Sequence, residues 1–461
     1  MAGYAAFTLC AFFSHEPWRD ELQAWLIARE LNIPDILYQM RYEGHFALWS
    51  LMLKPFAAAG GELLWMGLLS WALMQVAAWI LLYRSPFSGW VKALLLLSYP
   101  MIYYFPVVSR CYALIPPILF LLAVLYEHLP RGRGHLAYCL LLGLLAHTHA
   151  YMEGMVGMLF LIYTYDYLIR HWKQRSWKLR LKSMLPPFLT VGLVIGAALQ
   201  VLPALSMHHN ATDKGFTIDK TLGYITDTVH PDRFPLMDAV TDVLLLLILV
   251  AFIIRYRRGY NPRIPLLLLG AIGWQIYFST ELYGMNLQRP YLILYVLIFA
   301  FWIVRSKALL PQLALALISL FTLYRLPYGL SDFSQPYTNA QEIATLLQKT
   351  LPKDERTVYV DNMTKVIAGY APELEYRSMA DGKKIPLYTP HDLLKTEPFD
   401  RYCDSISKKP LYYVRNPIRL EQFAKYCKER ADRYEVEQIL PRKGAPTALQ
   451  ETFYLYRIRR K

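Results

Sequence analysis

RHWKQRSWKLRLK (170–182) carries six Lys or Arg residues and no carboxylate, and it lies between apolar runs near 152–169 and 184–205. A basic segment framed by two runs about as long as a bilayer crossing is the mark of a cytoplasmic loop in a membrane protein. RYRRGYNPR (255–263), with four basic residues, repeats the pattern. Working outward from these two loops, apolar runs with charged ends recur near 1–14, 62–83, 90–108, 111–128, 136–149, 152–169, 184–205, 236–254, 264–280, 289–304 and 308–325. The expected fold class is therefore a polytopic α-helical membrane protein of about eleven spans. With a cytoplasmic N-terminus, the cytoplasmic loops become 84–92, 129–135, 170–183, 255–263 and 305–307. Each holds Lys or Arg, including Arg84, Lys92, Arg131, Arg133, Arg305 and Lys307, as the positive-inside rule requires.

Composition agrees with this topology. The chain has 461 residues, 55% hydrophobic and only 18% charged, where soluble domains carry roughly a quarter charged residues. A soluble enzyme, a disordered hub and a small disulfide scaffold are excluded. The mean hydropathy of +0.23 requires a polar portion alongside the spans. The net charge of +14 sits largely in short loops, so it calls for no nucleic-acid partner.

Three stretches then lie outside: a first loop 15–61, a loop 206–235 and a tail from about 326. In the first loop, ELQAWLIAREL and FALWSLMLKPF read as helices lying in the membrane interface, with Trp at the boundary. The first run is short and lacks a basic start. With no small-x-small site before the acidic loop, a clipped or misassigned start is expected rather than a cleaved leader. The tail is charged and Pro-punctuated. NAQEIATLLQKTL (339–351) and IRLEQFAKYCKERA (418–431) have helical spacing, and TVYV (357–360), LYYV (411–414), YEVEQIL (434–440) and TFYLYRI (452–458) read as strands. The expected organisation is a transmembrane catalytic domain, 1–330, followed by a small extracytoplasmic α/β domain, 331–461. No Gly-rich phosphate loop occurs in the tail. Cys403 and Cys427 share it, and either a disulfide or two free thiols fits.

The chemistry-bearing residues concentrate in the first outer loop. HEPWRDELQAWLIARE (15–30) places Glu16, Asp20 and Glu21 directly after the first run, and YEGHFALW (42–49) adds Glu43 and His45. Carboxylates held against a membrane surface among Trp18, Trp25 and Trp49 are costly to desolvate without a task. Asp20 and Glu21 also suit a helix start on dipole grounds. The acidic pair, the helix DELQAWLIAREL and the YEGHxxLW element resemble the GT-C superfamily of membrane glycosyltransferases, which includes protein O-mannosyltransferases and bacterial lipid A aminoarabinose transferases. SRCYAL (109–114), AHTHAYME (146–153) and GMNLQRPYL (284–292) fit the same resemblance.

The resemblance implies transfer of a hexosyl or pentosyl group from a polyprenyl-phosphate-linked sugar to an acceptor hydroxyl on a lipid, glycan or protein. That transfer would occur at the outer face of the plasma (inner) membrane, with inversion. Asp20 falls on the position of the catalytic base, with Glu21 beside it and the choice between them open. Glu43 falls on the second acidic position, where many relatives have a charged residue followed by two prolines. This chain reads Glu43-Gly44-His45-Phe46 and departs from that pattern. The leaving phosphate is already ionised and needs positive charge rather than an acid. Arg110 and Arg289, at outer span ends, are candidates to bind it. Arginines that snorkel to lipid headgroups are the plainer alternative.

His147 and His149 invite a metal reading, yet at that spacing on a helix they point about 200° apart. A divalent cation would need His45 and Glu43 to converge on them. Interfacial hydrogen bonding is the simpler expectation. The rival functions are a transporter or flippase, and a polymerase or ligase of lipid-linked saccharides. The first would want charges at midplane and paired broken helices. The second usually concentrates its chemistry in a late loop.

Overall fold

A computed structural model of the chain describes residues 1–43, 45–169, 176–207, 263–279, 291–304, 309–352, 356–361, 365–379, 382–388, 410–415, 420–429, 431–441 and 451–461. A helix lies at each expected span except 236–254, which falls outside the described residues. The bundle opens with α1 (Ala2–Ser14). α2 (Arg19–Glu30), α3 (Ile33–Glu43) and α4 (Leu48–Ala58) form the first loop. α5 (Leu63–Arg84), α6 (Gly89–Leu97) and α7 (Phe105–Val107) follow, then α8 (Ile115–Tyr126), α9 (His135–Ala146), α10 (Glu153–Tyr163) and α11 (Trp177–Met207). After the next described stretch come α12 (Arg263–Tyr277), α13 (Leu292–Ile303), α14 (Leu309–Thr322) and the short α15 (Leu326–Leu330).

Among the described residues, Leu63–Arg84 and Trp177–Val201 are long and apolar enough to cross a membrane, and two bent pairs raise the number to four. α5 shows why. It runs 22 residues without a charge before Arg84, about 33 Å of helix. The run near 90–108 is not one straight span. It bends by 61° between Gly89–Leu97 and Pro100–Val107, with a π-helical turn over Pro100–Tyr104. Pro100 and Pro106 remove backbone donors there, and the Ser98 hydroxyl donates to the Leu95 carbonyl at 2.6 Å, so the kink has a local cause.

The first loop departs from an interfacial arrangement at α2. Leu22, Trp25, Leu26, Ile27 and Ala28 are each at most 1% exposed, so the helix packs against protein on most of its circumference rather than lying on lipid. Trp25 and Ala28 join the core of the bundle. Leu22 and Leu26, one turn apart, join a second core with Val358, Val360 and Leu455 of the tail. Ile27 packs with Ile36, Met40 and Ala47. α3 keeps an apolar outer face, with Ile33, Leu37 and Tyr38 exposed, the form expected of an interface helix.

The tail forms a five-stranded mixed sheet in the order β2-β1-β3-β5-β4. Its members are β1 (Thr357–Val360), β2 (Glu375–Ser378), β3 (Leu411–Arg415), β4 (Tyr434–Leu440) and β5 (Tyr454–Arg460), with helices α16 (Ala340–Thr350) and α17 (Leu420–Glu429). β1 pairs in parallel with β2 and β3, while β5 runs antiparallel to β3 and β4. β2 has no counterpart in the sequence pattern. EYRS is polar, lies at the sheet edge and buries fully only Tyr376, so alternation gives no signal. Cys403 lies outside the described residues, and with it the pairing of Cys403 and Cys427.

Close helix packing rests on small residues. A Cβ at Gly67 of α5 would come within 1.8 Å of Phe12 Cε2 on α1, a contact that cannot exist without movement. Gly67→Leu is expected to cost stability by about 1–3 kcal/mol or more through overpacking. A thermal melt of the purified protein in detergent should show a lower midpoint, and an unchanged midpoint would contradict this α1–α5 contact.

Candidate active site

Asp20 and Glu21 are neighbours at the start of α2, and helical geometry separates their side chains by about 100°. Their environments are correspondingly different. Glu21 is fully buried. Its Oε2 lies 2.9 Å from His15 Nε2 and accepts from the Trp18 backbone N–H at 3.2 Å, closing the first turn of the helix. Its Oε1 accepts from the Ser109 N–H at 2.5 Å. Both oxygens of Glu21 are thus engaged by structure.

His15 ends α1 and bridges two carboxylates. Its Nδ1 lies 2.8 Å from Asp332 Oδ2, which also accepts from the Tyr103 hydroxyl. Burial alone would lower the imidazole pKa, but Glu21 and Asp332 outweigh it and raise it to about 10. His15 is therefore an imidazolium with both N–H groups donating. Beside it, burial lifts the Glu16 carboxyl to about 7, with Asp332 and Glu342 adding to the rise and His15 opposing it.

Asp20 faces the other way and keeps a side-chain exposure of 27%. Arg110 Nη1 donates to its Oδ2 at 2.7 Å, and Arg19 Nε approaches its Oδ1 at 3.4 Å. Burial pushes its pKa up, and Arg110 first, then Arg19, pull it further down, below the ordinary carboxylate range. Arg110 is 7% exposed and lies over the rings of Trp18 and Tyr112 at 5.9 and 5.6 Å. Its Nη2 donates to His45 Nε2 at 3.2 Å, and His45 Nδ1 donates to the Glu43 carbonyl at 2.9 Å. That pair of bonds fixes His45 as the neutral Nδ1–H tautomer. The structure thus brings Asp20, Arg110 and His45 together in one mouth.

Glu43 lies at the end of α3, where Gln23 and Gln39 donate to its Oε1 at 3.0 and 2.7 Å. Burial raises its pKa, and the nearby Asp20 charge adds to the rise. His149 accepts from the Tyr151 N–H at Nδ1, so its Nε2–H donates to the Tyr112 hydroxyl at 3.1 Å. Its ring meets His45 edge to face at 5.9 Å. His147 stands apart, against Phe46 at 6.1 Å. The metal expectation meets a physical objection here. The nitrogen lone pairs of His45 and His149 each face a donor, and among the described residues no three His, Cys, Asp or Glu side chains gather as a metal set. Arg289 and most of the loop 206–235 lie outside the described residues.

Sequence reasoning missed His15, Asp332, Arg19, Glu451 and Tyr112 as members of this assembly. His15 and Asp332 each follow closely on an apolar run, at opposite ends of the membrane part. That shared position was the available signal, and nothing local links residues 317 apart in the chain.

No protein-family model matches the chain, and no curated protein matches it. Among solved structures, the chain is similar to ArnT from Cupriavidus metallidurans bound to undecaprenyl phosphate. The TM-score is 0.55 at 13% identity, over 98% of this chain and 97% of that one. At that identity the likeness shows the fold: the two chains share one overall architecture over nearly their full lengths.

The charge on His15 has a measurable consequence. Its folded pKa of about 10 stands above the unfolded value of about 6.5. The stabilisation is therefore fully present below about pH 6.5 and is lost as pH rises toward 10. The difference in melting temperature between wild type and His15→Gln should be largest at about pH 6.5 and shrink steadily toward pH 10. A difference independent of pH would mean that His15 is neutral.

Proposed function

We propose that the chain is a GT-C glycosyltransferase that moves a sugar from a polyprenyl-phosphate donor to an acceptor hydroxyl. The carrying observation is the Asp20–Arg110 pair, a partly exposed carboxylate and a buried guanidinium 2.7 Å apart. It sits in a fold shared end to end with a protein crystallised with undecaprenyl phosphate. Asp20 supplies the base. The acceptor oxygen attacks the anomeric carbon, its proton passes to Asp20, and the bond from that carbon to the phosphate oxygen breaks. The polyprenyl phosphate leaves with an added negative charge. A single displacement of this kind inverts the anomeric centre.

A low pKa suits Asp20 because the base must start ionised. It is correspondingly weak, so it accepts the proton late, once the attacking oxygen has become acidic. Arg110 orients Asp20 and places fixed positive charge where the leaving phosphate gathers its own. In this division Glu21 is structural and Asp20 is chemical, and the different contacts of the two side chains support that reading of the pair. Arg289 remains a candidate for a second phosphate contact.

The proposed setting is the plasma (inner) membrane with the mouth on its outer face. The turns holding His15, Arg110, His149 and Asp332 meet at one end of the bundle through the contacts described. The basic loops lie at the alternate ends of the same spans, which supports a cytoplasmic N-terminus. On this reading residues 1–330 form the catalytic membrane part, and 331–461 an extracytoplasmic α/β unit that presents the lipid, glycan or protein acceptor. The sugar is a hexosyl or pentosyl group.

Native membranes supplied with radiolabelled polyprenyl-phosphate sugars test this directly. Wild type should transfer label, and Asp20→Asn at equal folded abundance should lower kcat by about 10²–10⁴-fold. Glu21→Gln should instead lower the yield of folded protein. Transfer that survives Asp20→Asn would move the base elsewhere, and a wild type that moves labelled lipid between leaflets without transferring sugar would make it a transporter.

A further inference from the structure

The segment 451–461, which ends in β5, begins with a carboxylate that reaches back into the mouth. Its backbone is held firmly. Glu451 N–H donates to the Tyr337 carbonyl at 3.3 Å, and Glu451 bridges Thr338 in parallel. Asn339 clasps Phe453 with two bonds, Nδ2 donating to its carbonyl at 2.8 Å and Oδ1 accepting from its N–H at 2.7 Å. From this seat Glu451 Oε2 accepts from the Arg19 N–H at 3.1 Å. Its Oε1 faces Arg19 Nε at 3.4 Å, the same distance at which that Nε faces Asp20 Oδ1.

One N–H cannot serve two carboxylates at full strength, so the Nε–H of Arg19 is shared between Asp20 and Glu451. We propose that Glu451 is a positioning residue for the candidate base, holding Arg19 partly away from Asp20 so that the C-terminal segment sets how open and how basic that carboxylate is. This role rests on Asp20 being the proton acceptor of the proposed transfer. With Glu451 neutral, Arg19 turns wholly to Asp20. Two guanidiniums then close on one carboxylate, cover it and weaken it as a base. The exposures agree with a place on the rim: 12% for the Glu451 side chain, 27% for Asp20 and 36% for Arg19.

The arrangement can be read through pH. The charged groups facing Glu451 are Arg19, Asp20 and Glu21, all on α2. Tyr337 beside it stays neutral, because burial raises its hydroxyl well above the usual value. Burial lifts the Glu451 carboxyl, against the pull of Arg19, to about 7. Protonation of Glu451 near neutrality would therefore release Arg19 to Asp20.

The experiment measures kcat and donor KM in native membranes from pH 6 to 8.5 for wild type, Glu451→Gln, Glu451→Asp and Glu16→Gln. Wild-type kcat should fall as pH drops through about 7. Glu451→Gln should hold kcat near the wild type's acid-side level across the range, about tenfold below wild type at pH 8, the effect of roughly one pKa unit on a base, with KM little changed. Glu451→Asp should recover part of the rate and keep the limb. Glu16→Gln should keep it too, since Glu16 also titrates near 7, whereas the charges acting on Asp20 are Arg110 and Arg19. A Glu451→Gln profile that matches wild type overturns the proposal. So does a uniform loss that retains the limb and is not relieved by Asp, because that is what a merely structural residue would give. If wild type transfers sugar from no polyprenyl-phosphate donor, the function falls and this role with it, whereas wild-type transfer unaffected by Glu451→Gln removes this role alone.

Discussion

A buried imidazolium between two carboxylates closes the membrane bundle. His15 sits where the first helix ends, Asp332 in the 3-10 turn that follows the last helix of the bundle, and Glu21 at the start of the helix that carries the candidate base. Burying charges is costly, and it is tolerated where each is paired and its remaining hydrogen-bond positions are filled. Here Ser109 and Trp18 add bonds to Glu21 and Tyr103 adds one to Asp332 Oδ2, while Asp332 Oδ1 is buried without a hydrogen-bond partner. Removing His15 would leave both carboxylates without their cation in a dry site, so the triad fixes one arrangement of chain ends that hydrophobic packing alone would specify loosely. A bilayer supplies little hydrophobic drive between helices, which makes such polar ties more consequential.

Helix α2 converts that closure into a mouth. Its residues feed three separate cores: Trp25 and Ala28 toward the bundle, Leu22 and Leu26 toward the sheet, Ile27 toward α3. A Cβ at Gly369, on the tail side, would strike the Leu22 side chain at 2.6 Å, so the tail seats on α2 at close range. The Tyr370 hydroxyl donates to the Pro17 carbonyl at 2.6 Å in the same contact. A helix held from three directions has little freedom to shift, and side chains on its one open strip are preorganised by packing rather than by substrate. That strip carries Arg19, Asp20 and Gln23.

The membrane part was legible because its signals are local. Apolar length reads directly from short windows, and among the described residues helices stand where those windows place them. The fate of α2 was also written, in an apolar pattern that runs all the way round the helix, as Leu22, Trp25, Leu26, Ile27 and Ala28 show. Such a pattern means burial, although its Trp residues point equally well to an interface. What could not be read is whatever depends on distant partners. Asp20 and Glu21 are chemically alike in sequence, and only Ser109, Arg110 and His15 tell them apart. Asp332 is one acid in a polar tail until His15 is placed against it. The strand EYRS lacked alternation because an edge strand buries little.

The separation of roles between the two adjacent acids also explains how the candidate base is aimed. Glu21 grips the backbone of Ser109, and Asp20 grips the side chain of Arg110. Neighbouring residues on one helix therefore clasp neighbouring residues on one turn, and the two contacts cannot change independently. The bond to a backbone N–H has no rotamer freedom on its donor side, so it fixes the distance between α2 and the 108–111 turn. The ion pair then works within that fixed gap, where a 2.7 Å contact costs little further ordering. A base on a flexible loop would have to be ordered anew at each turnover. Here the ordering is built into the resting protein, because the buried acid sets the frame in which the exposed one can act.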